Sequence, residues 1–107
     1  MNPLDLEALR QAVRERRVEW RKHVLQKLAE RGLAQSAVLD VLLTGERIRD
    51  YTEDRPFPSA LFLGYMGGKP LHVLAACDET TGRAYIITAY EPSADVFEPD
   101  HRTKKKS

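Results

Sequence analysis

The stretch PFPSALFLGYMGGKPLHVLAACDETTGRAYIITAYE, residues 56–91, decides the fold. It holds three short apolar runs, SALFLGYM, PLHVLAAC and AYIITAY, separated by two turns of recognisable chemistry. Gly67-Gly68 offers the two positive-φ positions of a tight hairpin. Asp78-Glu79-Thr80-Thr81-Gly82 offers a type I turn closed by a left-handed glycine. An antiparallel meander follows from this pattern. All three runs are apolar on both faces, which predicts strands covered on both sides.

The residues ahead of the meander read as helices able to cover one of those sides. After Asn2 and Pro3, which suit a cap and a first helical turn, LDLEALRQAVRERR places Leu4, Leu6, Leu9, Ala12 and Val13 on one stripe. Its other face carries Arg10, Arg14, Arg16 and Arg17, either a solvated surface or a patch that faces phosphate. Val18-Glu19-Trp20 breaks the rhythm and reads as a short link, extended or helical. From about Arg21 to Arg31 the helical period returns with Val24, Leu25, Leu28 and Ala29, and it stops at Gly32, a natural residue to follow a helix. His23, Lys27 and Arg31 share one ridge of that helix.

AVLDVLLTG, entered through Ser36, predicts a third short helix ending at Gly45. ERIRDY, residues 46–51, reads as an edge strand blunted by its charges, and TEDRPFP as a loop. Three short helices are too few to shield both faces of the sheet, so the second face is expected to be a groove, an oligomer interface or a partner site. The expected fold class is α+β, with two or three N-terminal helices packed on a twisted antiparallel sheet of about four strands. Residues 1–100 are expected to form a single domain and residues 101–107 a disordered basic tail.

Size and charge narrow the function classes. A chain of 107 residues, 42% of them hydrophobic, suits one domain with one modest core. The net charge of +1 conceals segregation: residues 1–31 hold eight Lys or Arg against five Asp or Glu, and residues 46–100 hold five against ten. The single cysteine, Cys77, excludes an internal disulfide framework and suits a reducing compartment. The apolar runs all fall short of the roughly 18 residues that mark a membrane-spanning helix. The N-terminus lacks a basic region followed by an apolar run. A soluble, cytoplasmic protein with no membrane partner is expected.

The sequence has no phosphate-cradling glycine loop with its lysine, no paired-cysteine or His-x-x-x-His motif and no Gly-x-Ser-x-Gly elbow. His23, His72 and His101 are scattered, so neither a metal nor another cofactor is expected. Cys77, at a strand end among alanines, reads as a small buried thiol. His72 is different, because it interrupts an apolar central strand and must find a partner or a solvated groove. With Gly67-Gly68 as a two-residue loop, Met66 faces Lys69, Tyr65 faces Pro70 and Leu63 faces His72, so Tyr65 and His72 share a face. A three-residue second loop would bring Thr88 and Tyr90 to that face, whereas a four-residue loop would bring Ala89 and Glu91.

Histidine, tyrosine and arginine gathered over a sheet suit metal-free RNA cleavage. A base takes the 2′-hydroxyl proton, an acid protonates the departing 5′-oxygen, and a cation steadies the pentacoordinate phosphate. His72 or His23 would be base or acid, and Arg31 the cation. The competing expectation is that His72 is a hydrogen-bonded sheet residue and the tyrosines are core aromatics.

The segments HVLQKLAERGL, AVLDVLLTGERIRDY, SALFLGY and GKPLHVLAACDETTGRAYIITAYEP resemble the bacterial family termed domain of unknown function 4258, over roughly residues 6–92. The resemblance lies in His23, Glu30-Arg31-Gly32, Asp50-Tyr51, the Gly68-to-Val73 strand start and the closing Ile86, Ile87, Thr88, Tyr90 and Pro92. Val24 and Lys27 stand where the family pattern has alanine and arginine; Lys27 keeps the charge and loses the fork-shaped phosphate contact. The family is in turn similar to small toxins of the RelE and MqsR type, often encoded beside zinc-binding MqsA-like antitoxins.

The resemblance implies a toxin-antitoxin toxin that cleaves mRNA; the basic helix ridge and the polar interruption of an apolar strand give it His23, Arg31, His72 and Tyr90 as expected catalytic residues, with Lys27, Tyr65 and Thr88 expected to bind substrate. Its partners would be RNA and an MqsA-like antitoxin. The alternative is a non-catalytic binding module or a homodimer joined through the apolar second face. A net charge of +1 is small for a protein that grips long RNA alone, which points to docking assisted by the ribosome or to no nucleic acid.

Overall fold

The computed structural model describes residues 2–105. The elements run α1 (Leu6–Arg14), β1 (Val18–Trp20), α2 (Lys22–Glu30), α3 (Gln35–Thr44), β2 (Glu46–Tyr51), β3 (Ser59–Met66), β4 (Lys69–Asp78) and β5 (Arg83–Tyr90). The strands make one sheet in the order β1-β5-β4-β3-β2. The α+β class holds, with three helices, but the sheet has five strands and is mixed, where four antiparallel strands were expected. The added strand is β1: Val18, Glu19 and Trp20 pair in parallel with Ala84, Tyr85 and Ile86. Three residues are too few to show an alternating pattern, and the partner lies at the far end of the chain. What favours the strand is the β-branched Val18 and the aromatic Trp20.

The Asp5 carboxylate caps α1 by accepting the Ala8 N–H at 3.1 Å, so the cap is Asp5 and not Asn2. Each helix turns a stripe toward the sheet: Leu9, Ala12 and Val13 from α1, Val24 and Leu28 from α2, and Val38, Val41 and Leu42 from α3. Against them lie alternate residues of the central strands, including Phe62, Leu71, Val73, Ala75, Ile86 and Ala89. Arg10, one of the arginines read as solvated or phosphate-facing, instead donates from Nε and Nη2 to the carbonyls of Leu42 and Gly45, both at 2.9 Å. It closes the C-terminal end of α3. Gly45 is fixed by space, since a Cβ there would stand 2.5 Å from the Val41 carbonyl oxygen and 2.6 Å from that of Leu63.

The first hairpin has the expected register, with Met66 opposite Lys69, Tyr65 opposite Pro70 and Leu63 opposite His72. Its turn places Gly67 and Gly68 at φ 58° and 82°. In the second hairpin Asp78 pairs with Arg83, leaving a four-residue loop, Glu79 to Gly82. That loop alone would turn Ala89 toward the face of His72. A bulge intervenes: Ala75 pairs with Ile86 and Leu74 with Thr88, so Ile87 is the extra residue. Thr88 and Tyr90 therefore stand opposite Leu74 and His72.

The face of the sheet away from the helices, called here the outer face, is neither open nor covered by a helix. Residues 93–105, partly assigned above to a disordered tail, fold back over it. They form a narrow loop closed by Lys105 N–H donating to the Val96 carbonyl and Glu98 N–H to that of Thr103, both at 2.8 Å. At its tip the Asp100 carboxylate accepts the N–H groups of Arg102 and Thr103 and the Thr103 hydroxyl. Those bonds pull the Asp100 carboxyl down to about 2. Residues 101–105, assigned from composition to the tail, belong to this loop, and residues 106–107 lie outside the described part.

Candidate functional site

The outer face gathers four of the seven residues singled out from sequence, with a fifth at its rim. Tyr65, His72, Thr88 and Tyr90 occupy neighbouring positions on β3, β4 and β5. His72 is fully buried, one of two buried polar residues among those described. Its Nε2 lies 2.6 Å from the carbonyl oxygen of His101, and a carbonyl can only accept, so Nε2 carries the proton. Nδ1 is then a bare acceptor facing the Tyr90 hydroxyl at 3.4 Å.

The Phe97 ring packs edge-on over the imidazole with centroids 4.7 Å apart, and the Tyr90 ring stands at 5.3 Å. Burial, ahead of the neighbouring charges, pushes the His72 pKa below its usual value; the His101 carbonyl bond opposes this in part. Burial also raises the Tyr90 phenol above its usual range. The first is held neutral and the second protonated at neutral pH, a base-competent imidazole beside an acid-competent phenol.

Arg31, the residue that ends α2, reaches the rim of this face. Its Nη1 donates to the Ala89 carbonyl at 2.7 Å and to the Thr88 hydroxyl at 3.3 Å. β1 pairs only as far as Ile86, so Arg31 covers a carbonyl on the stretch of β5 that lacks a neighbouring strand. His23 and Lys27 stay outside the cluster. Both are exposed on α2; Lys27 pairs with Glu30 at 3.4 Å, and His23 lines a pocket at the start of the helix. Eight residues separate His23 from Arg31, about 12 Å of helix. The ridge expected from spacing exists, but only its last member meets the sheet cluster.

The residues that hold the cluster shut were missed. Arg102 forms an ion pair with Glu46, and Arg49 donates to the Arg102 carbonyl at 3.2 Å. Both anchors come from β2, where a bulge between Arg47 and Arg49 turns Glu46 and Arg49 to the same face, opposite Leu63 and Leu61. The available signal was the apolar pair Val96-Phe97 standing alone in a polar tail. Phe97 is buried against His72, while Val96 remains exposed. Cys77 is buried, and burial with nearby carboxylates pushes its thiol up to about 11, which makes it a poor nucleophile. Among the described residues no group of three or more His, Cys, Asp or Glu side chains is arranged to hold a metal, and no helix is long and apolar enough to cross a membrane.

Residues 20–91 match the family described as Domain of unknown function (DUF4258). The chain belongs to that family. No curated protein and no solved structure matches it. The matched DUF4258 span runs from the end of β1 to the residue after β5, so it takes in α2, α3, the rest of the sheet and all seven candidate residues. It leaves out α1 and the covering segment 93–105. The imidazole–phenol pair thus lies inside the DUF4258 span, and Phe97, His101 and Arg102, which cover it, lie outside.

Proposed function

We propose that the chain is a toxin-like, metal-independent endoribonuclease of RelE-like arrangement, active at the outer face and closed in its free state by residues 93–105. The observation that carries this is the 3.4 Å approach of His72 Nδ1 and the Tyr90 hydroxyl beside the Arg31–Thr88 contact. Neutral His72 would take the 2′-hydroxyl proton, Tyr90 would protonate the leaving 5′-oxygen, and the remaining guanidinium donors of Arg31 would meet the phosphate. Thr88 and Tyr65 would position the substrate, with Lys27 kept in its binding role and His23 moved from chemistry to binding.

Access requires the covering segment to lift. Its one large buried side chain is Phe97, whose burial contributes about 1.5–3 kcal/mol, opposed by the entropy of ordering the loop. The Glu46–Arg102 pair is exposed on both sides and adds little. An antitoxin of the MqsA type would act by holding this face closed.

The test is RNA cleavage in EDTA by the full chain and by a Phe97→Ser, Arg102→Ala variant. The loosened variant should cleave faster, and adding His72→Ala or Tyr90→Phe should lower its rate by a factor of about 10²–10⁴. A correctly folded loosened variant that cleaves no RNA sinks the proposal. A second reading, a non-catalytic binding module or homodimer, is favoured by the engagement of both His72 ring nitrogens inside the fold. Under it, histidine variants change stability alone, and the mass in solution rises with concentration.

A further inference from the structure

At the start of α2, away from the His72–Tyr90 cluster, a pocket of about 540 Å³ opens between the helix, the loop before β3 and the outer face of β5. Its volume falls in the range of about 300–1,000 Å³ usual for small-ligand sites. Arg21, His23 and Arg55 line it, and all three are exposed. The two arginines stand apart from most others in the chain. Arg10, Arg17, Arg31, Arg47, Arg49 and Arg102 each donate from the side chain to a protein acceptor, whereas the guanidinium groups of Arg21 and Arg55 make no hydrogen bond or ion pair among the described residues. The carboxylate in the lining, Asp54, is engaged by the Ser59 hydroxyl. Two uncommitted guanidinium groups and an imidazole against one engaged carboxylate favour an anion, and the planar fork of arginine suits phosphate.

The same pocket has an aromatic wall. Phe57 stacks on Tyr85 with centroids 5.7 Å apart and ring planes 17° apart, and both rings line the cavity. A flat π-system laid on that pair would continue the stack. Phosphate-binding cations beside an aromatic platform are the combination that holds one unit of a single-stranded nucleic acid.

We propose that this pocket binds a nucleoside monophosphate unit, its base stacked on the Phe57–Tyr85 pair and its phosphate held by Arg21 and Arg55. The unit could be a free nucleotide or one link of an RNA chain, and only the second source rests on the ribonuclease proposal. The pocket lies along the same strand as the chemistry. From Tyr85 to Tyr90, with the bulge between them, is about 13 Å at roughly 3.3 Å per residue. A strand bound along β5 would place one nucleotide in the pocket and a phosphodiester further on near Arg31.

The experiment is calorimetric titration of the full chain, in EDTA and at low temperature, with AMP, inorganic phosphate and a pentaadenylate carrying 2′-O-methyl groups, which blocks cleavage. AMP should bind at least tenfold more tightly than phosphate. Arg55→Ala and Arg21→Ala should each weaken AMP by about tenfold, and Phe57→Leu should reduce the advantage of AMP over phosphate. Circular dichroism guards against unfolding, with Arg55→Lys as a milder variant that keeps the charge and loses the fork. Tighter binding of pentaadenylate than of AMP assigns the pocket to RNA, and equal or weaker binding assigns it to a free nucleotide. The proposal is overturned if AMP binds no better than phosphate, or if AMP binding survives both arginine variants unchanged. Because no arm requires cleavage, a chain that binds but does not cleave retains the pocket and loses the ribonuclease function.

Discussion

On the helix side of the sheet, Phe62, Val73 and Ile86 are buried by stripes from three helices, each of which makes its own internal hydrogen bonds. On the outer side, His72 is buried just as fully by a loop of about a dozen residues that docks through Phe97, the His101 carbonyl and two side chains of β2. The two faces have similar burial and dissimilar support. Burial by itself therefore does not report how firmly a residue is enclosed; what matters is the free energy needed to remove the cover. On the helix side that is the global stability of the domain, and on the outer side it is the docking of one aromatic ring and a few hydrogen bonds.

Substitutions on the two faces should separate them. Phe62→Ala, inside the helix-covered core, should cost about 3–5 kcal/mol in urea unfolding. Phe97→Ala should cost about 1–2 kcal/mol, because the loop can relax or leave, and hydrogen exchange should accelerate at residues 93–105 and β4 without change in the helices. Equal losses for the two variants would erase the distinction.

A smaller effect concerns pH. The folded-state pKa of His72 is depressed by burial, so below its ordinary value of about 6.5 the unfolded or opened chain binds a proton that the closed form refuses. Stability from this group is complete above that value and declines as pH falls through it toward the folded pKa. Unfolding midpoints should drop from pH 7 to pH 5, and His72→Phe should flatten the slope. A slope unchanged in that variant would mean that another group titrates. The smallest effect is expected from Glu46→Gln, which should leave global melting unaltered and change exchange only in residues 96–105, with the difference fading in high salt.

The legible parts of the fold were those written locally. Gly67-Gly68 specified the first hairpin and its register, and the positions of Leu9, Val24, Leu28 and Leu42 specified which helix faces turn inward. β1 was not legible because three residues carry no period and their partner strand is the last in the chain. The covering segment was hidden because its composition is that of a solvated tail; one phenylalanine, two backbone carbonyls and one ion pair do the docking. For the site, Tyr65 and His72 followed from the hairpin. Whether Thr88 and Tyr90 joined them depended on Ile87, whose β-branched side chain looks like any other strand residue.

That extra residue in β5 couples two lengths in the hairpin. The loop Glu79 to Gly82 and the bulge at Ile87 act as an insertion and its compensator: each alone shifts the reading frame of the strand by one, and together they restore it. Deleting Ile87 should therefore straighten the strand and leave Thr88 and Tyr90 on the face of His72, whereas a regular ladder that kept Ile87 in line would present Ala89 there. A hairpin closed by Glu79 opposite Arg83, with a three-residue loop, would bring Tyr90 opposite His72 with no bulge at all, so the turn and the strand set this face jointly although they lie several residues apart.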